Sequence, residues 1–345
     1  MFPDCPYLRG MKISASVYAN SKRPLADLVR DLDLYGVDFL HIDCKDNPGV
    51  FADIARIREV SPTPIDLHLI TSEPERYLHD LHQHELAYVT FQYEDLRGPE
   101  HLPRPVGYKQ GIAITSETPI EVFDKVMDRC DFVLFMTTIP GESGGSFQRE
   151  NFQRIRRFMR RYPGIDVHVD GGVNAEVGFI LRNMGVSLIV SGSYLVRSQS
   201  IGASMLKLKA EAVDSHYYVE DFMLDLNDTP VLVEEKSTFL DALRVIEHYS
   251  HGLVIITDTL GKFKGLVTNA DVRRGLLRHS SNLNQVKLPE IVNRNPLTIH
   301  PKKSVSELLT KVKHAPFPVN YLPVVDSHRK VVGLVAFFNL IKGEG

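Results

Sequence analysis

From Met11 to about Leu206 the hydrophobic pattern changes period again and again. Short apolar runs at Lys12–Val17, Phe39–Asp43, Ile65–Ile70, Tyr88–Gln92, Ile112–Thr115, Phe132–Met136, Val167–Asp170 and Leu188–Ser191 read as strands. Between them, apolar residues recur three and four apart. That spacing predicts helices over about 24–35, 50–59, 148–161, 175–184 and 202–210, with further starts at Ser72 and near Pro119. Leu25, Leu28, Val29 and Leu32 share one helical face, and Gly36 sits just past its end. Ser72 is placed as an N-cap with Glu75 in the capping-box position. Residues 96–110 hold Gly98, Pro99, Pro103, Pro105 and Gly107, which argue against a full helix. Eight strands alternating with helices over some 200 residues predict an α/β fold, a TIM (β/α)8 barrel with one helix position degraded. An open doubly wound sheet fits less well, because polar residues stand at the ends of many strands and not at one switch point.

Near Glu211 the pattern shifts. Val231–Gly275 and Leu297–Lys342 repeat one order of elements. Each has an opening strand (231–233, 297–299), an amphipathic helix (238–249, 305–313), an apolar strand ending in Asp258 or Asp326, and a Gly-Leu-Val strand at Gly265 or Gly333. This is a duplicated α+β unit with pseudo-two-fold pairing. The expected domains are a barrel over 11–206, a linker over 207–217 and a tandem module over 218–342, divided at about 218–280 and 286–342.

Composition narrows the possibilities little further. The chain has 345 residues, 43% hydrophobic and 24% charged, with a net charge of −3, so no global field points to nucleic acid or an anionic membrane. Cys5, Cys44 and Cys130 are too few and too scattered for a disulfide framework, which suits a reducing cytoplasm. No apolar run approaches the roughly 20 residues of a membrane helix, and Met1–Pro6 does not read as a signal peptide.

The chemistry concentrates at strand ends. His41 and Asp43 stand two apart in one run, so they share a face. Asp66 with His68, and His168 with Asp170, repeat that arrangement, predicting one convergent site. His168 reads as structural or supporting, and Cys44 as a small buried hydrophobe.

These segments, taken in order, resemble the ribulose-phosphate 3-epimerase family over about Met11–Val196. The resemblance rests on Ile13-Ser14-Ala15-Ser16, His41-Ile42-Asp43, Asp66-Leu67-His68-Leu69, the loop from Met136 to Phe147, Val169-Asp170-Gly171-Gly172-Val173-Asn174 and Ser191-Gly192-Ser193. It implies an isomerase acting on a ketose phosphate. Asp43 and Asp170 would be its catalytic acid and base, and His41, Asp43, His68 and Asp170 would hold a divalent metal. Zinc, manganese and iron all suit that mixed nitrogen and oxygen set. The substrate would meet Ser16, Lys45, Met136, Gly144, Gly171, Gly172, Gly192 and Ser193. Lys45 and Ile70 fill slots where the family has methionine. Glu142, Ser143 and Gly145 replace an aromatic, a glycine and a glutamine, and Gln92 stands where histidine is common. These changes leave two readings open: retained enolisation on an altered substrate, or a regulatory barrel that binds a sugar phosphate without turnover.

The tail resembles a tandem CBS (Bateman-type) pair. Gly265-Leu266-Val267-Thr268-Asn269-Ala270-Asp271 fits the family's nucleotide signature, with Thr268 toward phosphate and Asp271 toward ribose. The second copy reads Ala336 and Asn339 at those positions, which implies at most one good site for AMP, ADP or ATP. A purely structural dimerisation pair is the other reading. Asn293–Pro296 and its flanks resemble pairs fused to sugar-nucleotide enzymes, a pointer to surface-polysaccharide metabolism. Both halves imply a homo-oligomer.

Overall fold

The computed structural model describes residues 10–19, 22–142, 144–210, 215–249, 251–278, 286–315 and 319–336. Cys5, Ser143 and Asn339 lie outside the described residues. The chain forms two units, the second beginning at Ser215.

The first unit is a closed parallel barrel of β1 (Lys12–Ser16), β2 (Phe39–Lys45), β3 (Ile65–Ile70), β4 (Tyr88–Gln92), β5 (Lys109–Thr115), β6 (Phe132–Met136), β7 (Asp166–Asp170) and β8 (Leu188–Ser191). β8 closes on β1 through Ser14 and Val190. Around it run α1 (Leu25–Leu34), α2 (Val50–Val60), α3 (Leu78–Gln83), α4 (Glu150–Arg161), α5 (Ala175–Met184), α6 (Ser193–Val196) and α7 (Ile201–Lys209). Strand alternation sends Leu40, Ile42 and Cys44 toward the helices, all fully buried. The other set faces the barrel axis. Its floor is an aromatic plug in which His168 stacks on Phe132 at 4.0 Å and meets the Tyr88 ring edge-on at 5.0 Å. Gly111 makes room for that plug, because a Cβ there would fall 2.2 Å from the Phe132 ring. With the lower barrel filled, side chains nearer the strands' carboxyl ends are left to form the site.

Two helix positions are degraded, not one. A 3-10 turn at Pro99–His101 stands in the proline-rich stretch, and the helix expected near Pro119 is a 3-10 segment, Ile120–Lys125. Its buried residues, Ile120 and Phe123, and Val126 just past its end recur every third position, which is the 3-10 period. Ser72 does not cap the next element. Glu73 precedes the 3-10 turn Pro74–Tyr77 without a side-chain cap. The Thr71 hydroxyl takes the local role, accepting from the Glu73 N–H at 3.1 Å.

The second unit contains α8 (Val219–Phe222), β9 (Leu224–Asp225), β10 (Val231–Val233), α9 (Phe239–Tyr249), β11 (Leu253–Thr257), β12 (Phe263–Thr268), α10 (Asn269–Arg278), α11 (Leu288–Ile291), α12 (Val305–Lys313), β13 (Tyr321–Val325) and β14 (Val331–Ala336). It begins inside the expected linker, since Tyr217 O already accepts from Val305 N at 3.3 Å. The sheets are ordered β10-β11-β12 and β13-β14-β9. The second copy's expected opening strand, 297–299, shrinks to a single bridge from Ile299 to Val324. Proline on either side, at 296 and 301, removes the donors a longer ladder needs.

Each repeat is completed by the segment that precedes the other. Leu224 pairs with Leu334, and Asn293 exchanges hydrogen bonds of 2.9 and 2.8 Å with Leu266. This explains the two Gly-Leu-Val strands. A Cβ on Gly333 would lie 2.2 Å from the Leu224 carbonyl oxygen, and one on Gly265 would lie 2.4 Å from that of Asn293. Leu224, Leu253, Ile255, Phe263, Leu266, Val331 and Leu334 form a core shared by both repeats.

Candidate active site

β2 and β3 pair so that His41 lies beside Asp66 and Asp43 beside His68. β6 and β7 set Met136 beside Asp170. The ligand atoms of His41, Asp43, His68 and Asp170 all lie within 4.8 Å of one another. Donors bound about 2.0–2.2 Å from one ion are at most ~4.4 Å apart, so a small contraction closes such a shell.

Hydrogen bonds set both imidazoles to face this point. His41 Nδ1 lies 2.8 Å from Asp66 Oδ2, which also accepts from the Ser14 hydroxyl at 2.9 Å. The carboxylate requires a donor, so Nδ1 keeps its proton and Nε2 is the nitrogen turned toward the cluster. That nitrogen is buried without a hydrogen-bond partner among the described residues. It faces Asp43 Oδ1 at 3.5 Å and Asp170 Oδ2 at 3.7 Å. At His68, Nε2 lies 2.9 Å from Gln92 Oε1. The Gln92 amide is oriented in turn, because its NH2 donates to Glu94. Gln92 therefore offers only its oxygen, His68 Nε2 donates to it, and His68 Nδ1 is the nitrogen that faces Asp43 Oδ1, at 3.1 Å. Two imidazole nitrogens and two carboxylates converging on one point fit a divalent cation, which would displace any proton on those nitrogens, with carboxylate and amide partners behind the rings as such ligands need.

Electrostatics separate the two carboxylates. Burial disfavours the Asp43 charge, but His41 and His68 hold its carboxyl well below the usual range. Burial pushes Asp170 up to about 6; His41 pulls against that rise and Asp43 adds to it. Burial would also depress His41, yet Asp66 and Asp43 hold it well above the ordinary imidazole range. The rings are fully buried, whereas the Asp43 and Asp170 side chains keep 19% and 17% of their exposure. The carboxylates are thus the members of the cluster that reach toward the opening.

Met136 packs with Ala113 and Leu134 on the inner wall. Beyond β7, Gly171 and Gly172 have φ of 113° and 63°. A Cβ on Gly172 would fall 2.2 Å from Phe147 N, so glycine is required for the β6 loop to approach. Thr137 locks that loop down, donating its N–H to the Asp170 carbonyl at 2.7 Å and its hydroxyl to that of Gly171 at 2.6 Å. Gly192 lies against Ser16, whose Oγ would be 3.9 Å from a Cβ there, and Ser193 opens α6. Lys45 is exposed and makes no ion pair with a described residue. Asp46 is engaged elsewhere, accepting from the Thr71 hydroxyl at 2.5 Å and the Tyr77 hydroxyl at 3.5 Å. Lys45 and Ile70 both lie beneath Gly141 of the β6 loop. Glu142 and Gly144 are exposed, and nothing stands within 4 Å of where a Gly144 side chain would begin. The Cys44 thiol is pushed up to about 11 by burial, which suits packing and not nucleophilic attack.

Asp66 was expected at the convergent site, because it shares its strand face with His68, but its part in orienting His41 was not, and Glu94 was not among the expected site residues. Glu94 lies past the end of β4, where alternation gives no signal. In the second unit Thr268 and Asp271 bond each other. Asp271 Oδ2 accepts from Thr268 N at 2.8 Å and from its hydroxyl at 2.6 Å, closing a cap on α10.

Comparison with known proteins identifies both parts of the chain. The model of the ribulose-phosphate 3 epimerase family matches residues 12–196, and that of the CBS domain matches 219–278 and 289–343. The ribulose-phosphate 3-epimerase of Schizosaccharomyces pombe is 29% identical over 201 residues, covering 55% of this chain and 88% of that protein. That of Bacillus subtilis is 28% identical over 197 residues, covering 53% and 91%. Among solved structures, the CBS-pair protein CBSX2 of Arabidopsis thaliana is similar at 19% identity and a TM-score of 0.32, covering 37% of this chain and 94% of that one. The C-terminal unit is a tandem CBS pair, and no helix of the described residues is long and apolar enough to cross a membrane. With its barrel matched from β1 to the end of α6, the chain belongs to the ribulose-phosphate 3 epimerase family, as an isomerase barrel that carries a CBS pair.

Proposed function

We propose that the barrel epimerises a ketose phosphate at the carbon next to its carbonyl, with Asp43 and Asp170 moving the proton. The observation that carries this reading is the convergence of two imidazoles and two carboxylates, from His41, His68, Asp43 and Asp170, with ligand atoms all within 4.8 Å of one another. His41, Asp43, His68 and Asp170 would hold a divalent ion, whether zinc, manganese or iron. Bound there, the ion supplies Lewis-acid charge against the negative charge that develops on the substrate oxygens.

The protein's own groups do the rest. One carboxylate takes the proton from one face of the carbon, and the other returns a proton to the opposite face. Asp170, raised to about 6, holds a proton more readily near neutral pH, and Asp43, held low by His41 and His68, gives one up more readily. Met136 and Ile70 supply apolar walls that keep water from the carbanionic intermediate. Gly171, Gly172, Gly192, Ser193 and Ser16 offer a small-residue cradle for the phosphate beyond β7, β8 and β1, where barrels of this kind bind phosphate. Thr268 and Asp271 at the head of α10 are the proposed adenine-nucleotide contacts, through which AMP, ADP or ATP would regulate the barrel.

Incubation with pentulose and hexulose phosphates in heavy water, in metal-replete protein, should place deuterium at the epimerised carbon. Asp170→Asn should abolish that exchange while the far-UV spectrum is unchanged. No exchange with any of these sugars would overturn the reading. It would favour instead a barrel that binds a sugar phosphate without turnover, for which the exposed, unpaired Lys45 beneath the β6 loop is the specific support.

A further inference from the structure

The second unit repeats itself closely enough to act as its own control. β11 and β12 are joined by Asp258-Thr259-Leu260-Gly261-Lys262, and β13 and β14 by Asp326-Ser327-His328-Arg329-Lys330. Their hydrogen bonds match one for one. Asp258 Oδ1 accepts from Leu260 N and Lys262 N, both at 2.9 Å; Asp326 Oδ1 accepts from His328 N at 2.9 Å and Lys330 N at 2.8 Å. Gly261 N and Arg329 N each donate to the carbonyl of the turn's aspartate at 3.0 Å. The two carbonyls also play matching parts, Gly261 O accepting from Val331 N and Arg329 O from Phe263 N. The fourth residue is left-handed in both turns, φ 77° at Gly261 and 62° at Arg329. Glycine adopts that conformation freely, whereas a Cβ disfavours it. Arg329 therefore holds a position that the turn assigns to glycine. Its side chain is exposed and makes no hydrogen bond or ion pair with a described residue.

Arg329 lines a cleft of about 800 Å³. Phe263, Ile299 and Val325 give the cleft an apolar side, and Lys311 brings a second cation that has no carboxylate partner among the described residues. The other charges are already answered. Arg294 pairs with Glu234, and Lys303 with Glu307 at 2.6 Å. Glu307 also accepts from Ser304 N, and Asp326 is committed to the turn N–H groups. What is left is two unpaired cations beside an apolar surface. The cleft stands at the Phe263 end of β12, and Thr268 and Asp271 at the other, roughly 16 Å away at strand rise.

We propose that this cleft binds a phosphorylated small molecule with a planar or apolar body, its phosphate on Arg329 and Lys311 and its body against Phe263 and Ile299. Arginine and lysine there supply charge-assisted hydrogen bonds to phosphate oxygens. The left-handed strain at Arg329 is then stability given up for recognition.

The test is calorimetric titration of the full chain with AMP, ATP and inorganic phosphate, carried out in Asp271→Ala so that only the far cleft is read. AMP or ATP should bind, and adding Arg329→Gly or Lys311→Ala should weaken binding about tenfold or more. Arg329→Gly should at the same time raise Tm, because glycine relieves the turn. Loss of binding with a gain in stability is a signature that a structural arginine does not give. The proposal is overturned if none of the three probes binds in Asp271→Ala, if Arg329→Gly leaves affinity unchanged, or if Arg329→Gly lowers Tm.

Discussion

The tautomers of two histidines depend on residues that touch no substrate. Glu94 is the most remote of these. It accepts from Thr115 N at 2.9 Å and from the Thr118 hydroxyl, and these with Gln92 hold its carboxyl below the glutamate range although burial opposes the charge. Glu94→Gln should free the Gln92 amide to turn over and present NH2 to His68, so that Nε2 accepts and the proton is fixed on Nδ1, where an ion would have to bind. Metal affinity should fall roughly 10–100-fold with little change in the folded spectrum, measured by competition with a chelator. His168 gives a prediction of a different kind. Burial lowers its imidazole to about 4, so the unfolded chain binds a proton in a range where the folded chain does not. Stability is full above the ordinary histidine value of about 6.5 and is lost as pH falls toward 4. The window corresponds to roughly 3 kcal/mol. His168→Phe should flatten the decline of the barrel's melting temperature over that range.

At the scale of elements, legibility followed periodicity. His41, Asp43, His68 and Asp170 were readable because a strand repeats every two residues and each pair straddles one position. Glu94 was not, because it acts from a turn. The helix expected after Pro119 failed for a related reason. Ile120, Phe123 and Val126 recur every three residues, and over so short a span that differs little from a helical face until the backbone is seen. Ser72 misled because Thr71, one residue earlier, offers the same hydroxyl and also reaches Asp46. The glycines of the two Gly-Leu-Val strands were visible as a repeat, but not why they are glycine. Gly333→Ala should push the Leu224 backbone away and destabilise the second unit by about 2–4 kcal/mol, which a denaturant titration that resolves the two units would detect.

At the scale of the molecule, one chain joins a barrel whose polar residues converge on an axis to a repeat whose two halves complete each other. The order of the eight strands, the convergence of His41, Asp43, His68 and Asp170 and the duplication were all legible in sequence. The exchange of strands between repeats was not, because Leu224–Asp225 is too short to register as a strand and pairs with a segment over a hundred residues downstream. A fragment beginning at Thr229 should therefore leave the edge of β14 open. It should aggregate where a fragment beginning at Ser215 stays monodisperse, as judged by light scattering.

That exchange also bears on how such a module can be passed on. A gene segment encoding either repeat alone would carry a sheet missing its outer strand and, with it, part of the core that Leu224, Leu266 and Leu334 share. The two copies repeat one order of elements, but the crossed strands make each depend on the other for its sheet edge. The heritable unit is both copies together with the few residues ahead of the first, and recombination that falls between them delivers neither half intact.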